Sequence, residues 1–150
     1  MIDLDQFESE CRRDIPLLEA MQLALVRYDD LTLTMEAPLA PNINNKGTAF
    51  GGSIASIGLF GGWAVATLAF RDHGIDNTEI VVYKNQMTFE RPARGHLVVM
   101  VTIDRDEFEA CLALLSEGSD KRIRFDVSVE IFHDDERCAA MSGVYVVWLK

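Results

Sequence analysis

The sequence predicts an α+β domain in which a mostly antiparallel β-sheet wraps around one long central α-helix. Three observations carry this expectation. The run from Gly51 to Phe70 holds no charged residue, and a helix that is apolar all round has to be covered on every side. The segments flanking it alternate apolar and polar residues with the period of two that strands require. A chain of 150 residues, 49% hydrophobic and 25% charged, fits one domain, residues 1–150, able to bury a core without metal or disulfide staples.

From Ile2 to about Arg13, Leu4, Phe7 and Cys11 recur at helical spacing, with acidic residues early and Arg12 and Arg13 late, the order a helix dipole favours. Pro16 either lies past this helix or opens a second turn. From Met21 to Arg27, Met21, Leu23 and Leu25 alternate with other residues; Asp29 and Asp30 mark a turn; Leu31, Leu33 and Met35 alternate with Thr32, Thr34 and Glu36. That pattern is a hairpin. "APLAPNINNKG" is a loop, because each Pro removes a ladder donor. The apolar run is the central helix, closed by Gly74 and Asn77. Four strands follow, at roughly Glu79 to Glu90, His96 to Asp104, Arg122 to Phe132 and Cys138 to Leu149. The clearest is "RIRFDVSVEIF", with Ile123, Phe125, Val127, Val129 and Ile131 on one face. "DEFEACLALLSEGSD", between the second and third, carries a helical turn or two. One such sheet covers one side of the helix well, so a second subunit is the expected cover for the rest.

Several function classes fall away on composition. A formal net charge of −10 opposes nucleic-acid binding, which needs clustered Lys and Arg to release counterions. Cys11, Cys111 and Cys138 are widely spaced and have no paired His, which reads as buried, reduced thiols in a cytoplasm. The N-terminal "MIDLDQFESE" is acidic where a secretory signal is basic, so export is not expected. The apolar run is long enough to span a bilayer, but its many glycines and the amphipathic strands around it read as a core helix. His73, His96, His133 and the acidic "DDE" turn form no ligand pattern, and neither a metal nor a bound cofactor is expected.

The stretch "NNKGTAFGGS" sets a polar loop against the start of the central helix. Gly51 and Gly52 permit close approach to the backbone, and the free N–H groups there carry the positive end of the helix dipole. Such a place suits an oxyanion. Ser53 reads as a helix cap before it reads as a catalytic hydroxyl.

With these residues the chain resembles the hotdog-fold thioesterases over its whole length. A branch of that superfamily carries a loop of Asn, two residues, Gly, two residues, His, Gly, Gly; here the same spacing reads Asn44, Gly47, Phe50, Gly51, Gly52, with Phe50 in the His position. "APLAPNINNKGTAFGGS" and "GGWAVATLAF" together look like the thioesterase domain found alone in some bacteria and fused behind an acetyltransferase domain in others. The resemblance implies hydrolysis of an acyl thioester such as acyl-CoA between two subunits of a homodimer or dimer of dimers. Gly51 and Gly52 would supply or permit the amide donors, and Asn44 would position water or thioester. Asn42 and Asn45 would be helpers, Phe50 would meet the substrate, Ser53 and Ser56 would line the mouth, and Arg91 and Arg94 would hold the CoA phosphates. Related helices place an acid two to three turns in, whereas "IASIGLFGGWAV" has none. The general base is therefore unassigned, and a non-catalytic acyl-CoA or lipid-binding module is the alternative. A hotdog dehydratase, needing a poised His and acid, ranks last.

Overall fold

The structure, a computed structural model, describes residues 1–118 and 120–150. Helix α1 (Leu4–Asp14) is capped by Asp3, whose carboxylate accepts the Gln6 N–H at 3.0 Å. Pro16 opens a separate helix, α2 (Pro16–Met21), which ends on Gln22 in the left-handed region at φ 53°. The alternation of Met21, Leu23 and Leu25 thus spans two elements, and the first strand, β1 (Ala24–Asp29), begins later than its apolar pattern suggests. Its turn to β2 (Thr32–Ala37) is made by Asp30 and Leu31, at φ 48° and 66°, one residue beyond the predicted Asp29–Asp30. A 3-10 turn (Ala40–Asn42) interrupts the loop before the central helix α3 (Gly51–Asp72).

The four remaining strands lie close to their predicted places: β3 (Thr78–Phe89), β4 (Leu97–Thr102), β5 (Ile123–His133) and β6 (Glu136–Leu149). Between β4 and β5 the expected turn or two is a full helix, α4 (Arg105–Leu115), capped by Asp104. Its Phe108, Cys111 and Leu115 bury on one side, a longer amphipathic stripe than the acidic residues around it reveal. Ser119, part of that stretch, lies outside the described residues.

All six strands form one antiparallel sheet in the order β1-β2-β4-β5-β6-β3. Helix α3 packs on its inner face, with Ala64, Val65, Leu68 and Phe70 fully buried against inward residues such as Leu33, Val99, Val127 and Val147. This is the hotdog architecture. By length and composition α3 could cross a membrane, yet 72% of its most apolar stretch is buried inside the protein.

The approach of helix to sheet is close. Tyr145 donates its hydroxyl to the Leu59 carbonyl at 2.7 Å, and a Cβ placed on Gly62 would lie 2.2 Å from that same hydroxyl oxygen. The two sheet edges differ. On β1 the Glu8 carboxylate of α1 accepts the Leu25 N–H at 2.6 Å and Arg12 donates to the Leu23 carbonyl at 2.7 Å, so a helix closes that edge. At the other edge β3 has no neighbour beyond it among the described residues, bulges between Val82 and Lys84, and leaves Val81, Val82 and Tyr83 43–55% exposed.

Gly62→Ala is expected to destabilise the protein by about 1–3 kcal/mol through overpacking, measured by urea unfolding. Gly118→Ala, where a Cβ meets nothing within 4 Å, is expected to stay within about 0.5 kcal/mol of the parent.

Candidate functional site

The loop ahead of α3 is held by its own polar groups. Asn44 Oδ1 accepts the N–H groups of Lys46 at 2.8 Å and Thr48 at 3.1 Å, while its Nδ2 donates to Thr48 Oγ1 at 2.8 Å. Gly47, at φ 79°, makes the turn between them. The loop is tied outward at two more places: Phe50 N–H donates to the Asn42 carbonyl at 2.7 Å, and Ala49 N–H to the Ala93 carbonyl at 2.8 Å. Asn42 lies underneath, 1% exposed, with Nδ2 donating to the carbonyls of Met21 and Pro38 at 2.9 and 2.8 Å.

Helix α3 then starts without a side-chain cap. Phe50 occupies the capping position, and the first intrahelical donor is Ile54 N–H, at 3.1 Å from the Phe50 carbonyl. Among the described residues the N–H groups of Gly51, Gly52 and Ser53 have no acceptor. Ser53 is not the cap that its position suggests: Gly51 and Gly52 are already helical, which puts Ser53 third in the helix. Ser56 turns its hydroxyl back to the Gly52 carbonyl at 2.8 Å. The result is a cluster of unpaired donors at the positive end of a long helix, able to stabilise an oxyanion.

Two phenyl rings flank these donors. The Phe50 ring lies over Gly52, where a Cβ would come within 2.3 Å of it, and the Phe89 ring lies over Gly51, 3.5 Å from the equivalent point. Phe89 and its neighbour Met87 are absent from the sequence-derived site. Both face inward because the bulge at Val82/Lys84 shifts the alternation of β3, pairing Met87 with Met141 and Phe89 with Ala139. No pattern in "VVYKNQMTF" marks that shift.

The predicted residues therefore divide. Phe50, Gly51, Gly52, Ser53 and Ser56 meet at the helix start. Asn45 is exposed on the loop, and Arg94 is exposed beside Ala93, the residue that anchors Ala49. Arg91 pairs with Glu136 at 3.0 Å. Two placements bear on the expected roles. Asn42 is buried beneath the loop, and the Asn44 amide is engaged in hydrogen bonds within its own loop.

Three strand carboxylates that could serve as bases are all ion-paired. Glu79 pairs with Lys150 at 3.2 Å, and Arg137 binds both Glu130 at 3.1 Å and Glu90 through two bonds of 2.7 and 2.9 Å. Hydrogen bonding to Arg137 holds the Glu90 carboxyl below its ordinary value, which weakens it as a proton acceptor. The thiols are equally ill suited to act as nucleophiles, since burial pushes Cys11 and Cys111 up to about 12. His73 and His133 each hold a backbone carbonyl through Nδ1, that of Ala69 and that of His96. A groove of about 600 Å³ bounded by His96, Met100, Glu130 and Phe132 lies on the outer face of the sheet, away from the helix start.

Comparison with known proteins bears on the family and the fold. The model of a family described as "Putative thioesterase (yiiD_Cterm)" matches residues 4–149. A crystal structure of a putative thioesterase from Shewanella oneidensis is similar, with 26% identity, a TM-score of 0.82, and 98% of this chain and 97% of that one covered. A protein of unknown function from Chlorobaculum tepidum matches at 24% identity and a TM-score of 0.85 over 98% and 97% of the chains. A probable thioesterase from Pseudomonas aeruginosa matches at 15% identity and a TM-score of 0.85 over 99% and 97%. The latter two likenesses are of fold alone.

Asn44→Ala removes one side-chain acceptor for two backbone donors in the loop. Hydrogen exchange at the Lys46 and Thr48 amides is expected to accelerate in this variant, while the interior of α3 stays protected. Unchanged exchange at both amides would contradict the loop-holding role.

Proposed function

Because the chain belongs to the family described as "Putative thioesterase (yiiD_Cterm)", we propose that it hydrolyses acyl thioesters, typically acyl-CoA, at the start of α3. The observation that carries this reading is the set of uncapped N–H groups at Gly51, Gly52 and Ser53, open at the mouth of the helix. The thioester oxygen takes these donors, and negative charge growing on it during attack is met by dipoles already in place. Water adds to the carbonyl carbon, the C–S bond breaks, the thiolate leaves and takes up a proton, and the acid departs as carboxylate.

In this reading Asn44 is a positioning residue: it shapes the loop that delivers Phe50 and the glycines. Lys46 and Arg94, on segments tied together through Ala49 and Ala93, supply positive charge for a phosphate-bearing carrier on a chain of net charge −10. The proton acceptor is assigned to no residue of this subunit. A homodimer joined at the bare β3 edge fits the exposed Val81, Val82 and Tyr83, and would bring a second copy to the open side of the site. The buried thiols fit a cytoplasmic setting.

A second reading, an acyl-CoA-binding module without turnover, is favoured by the ion-paired state of Glu79, Glu90 and Glu130. The two separate on one experiment. Purified protein is expected to release free thiol from acyl-CoAs of differing acyl group; Asn44→Ala should lower kcat/KM by about a hundredfold through misplacement of the loop, and Glu130→Gln should leave it near wild type. Binding without release from any thioester would favour the module.

A further inference from the structure

We propose that Phe50 and Phe89 form an aromatic clamp that selects thioesters with a compact, apolar acyl group, aryl groups above all; the inference rests on the thioesterase reading and assigns its acyl specificity. The two rings are 55% and 56% exposed, although each belongs to a residue type that folding ordinarily buries. They reach the same place from remote parts of the chain, one from the loop before α3 and one from the inward side of β3. Each stands against one of two consecutive glycines, Phe50 against Gly52 and Phe89 against Gly51, at the turn of α3 whose amides are unpaired. A carbonyl that reaches those amides carries its substituent against the rings.

The sheet packs closely on α3 beyond this turn. About two helical turns further on, the Met87 Cε and Met141 Sδ atoms stand 3.3 and 3.2 Å from where a Cβ of Gly58 would be. Beyond them the Tyr145 ring closes on Gly62. An acyl chain running from the amides along α3 meets these methionines, so a long straight chain has to displace them and a compact group does not. Ring stacking contributes about 0.5–1.5 kcal/mol beyond simple burial, equivalent to roughly a threefold to tenfold preference.

The test compares kcat/KM for phenylacetyl-CoA and acetyl-CoA in wild type, Phe50→Leu and Phe89→Leu, with assembly state followed by sedimentation. Leucine keeps the apolar cover and removes the ring. The phenylacetyl-to-acetyl ratio is expected to fall about threefold to tenfold in each variant, whatever the change in acetyl-CoA turnover itself. An unchanged ratio, or an equal loss on both substrates, overturns the clamp while leaving thioester hydrolysis intact. If wild type cleaves neither of these two, the clamp is judged by calorimetric binding of S-(2-phenylethyl)-CoA against S-ethyl-CoA, and the hydrolytic reading by the wider set of acyl-CoAs. Tighter binding of the phenyl ligand, lost in both variants, supports it; equal affinities in wild type overturn it.

Discussion

The constraint on which the structure depends is the need to cover α3. A helix without a charge between Gly51 and Phe70 cannot stand at a surface, and its burial organises the sheet, the glycine contacts and the order of the strands. The sheet curls round it closely enough for the Tyr145 hydroxyl to reach a carbonyl of the helix itself. That closeness forbids a side chain at Gly62. It also explains why small residues dominate the sheet-facing side of α3, with no appeal to function.

The same helix creates the functional opportunity. Its first turn emerges from the packed region beside the end of β3, and no side chain caps it. A typical N-cap would satisfy one or two of those donors; Phe50 in that position cannot. Their desolvation is offset only when water or a ligand oxygen accepts from them. The polar loop from Asn42 to Ala49 is rigid for a separate reason: both ends of the Asn44 amide and the Ala49–Ala93 bond fix it. In the proposed reaction, a pre-shaped loop and an uncapped helix together would supply donors that need no rearrangement.

Much of this was legible in the chain. The even alternation of "RIRFDVSVEIF" gives β5 at once, and the uncharged run gives α3, because burial on one face or on all faces leaves a direct trace in hydropathy. Local geometry leaves a weaker one. Met21 sits in a strand-like alternation yet ends a helix, since the Pro16 start and the left-handed Gln22 override it. Leu31 adopts a positive φ in the hairpin turn, which its residue type gives no reason to expect. At the site, the glycines and Phe50 were visible in sequence, but Phe89 was not: a bulge in β3 decides its direction, and nothing in composition announces a bulge. The spacing that singles out Asn44 gives no sign of its hydrogen bonds to Lys46 and Thr48 within the loop.

The central claim is that the amides opening α3 hold the thioester oxygen. It is tested most directly by recording backbone amide resonances of Gly51, Gly52 and Ser53 while adding an acyl-CoA analogue in which methylene replaces sulfur and the carbonyl is kept. The account predicts that these three protons move furthest downfield, as hydrogen bonds to the ligand carbonyl form. Saturable binding that leaves all three unmoved while shifting residues elsewhere would contradict it.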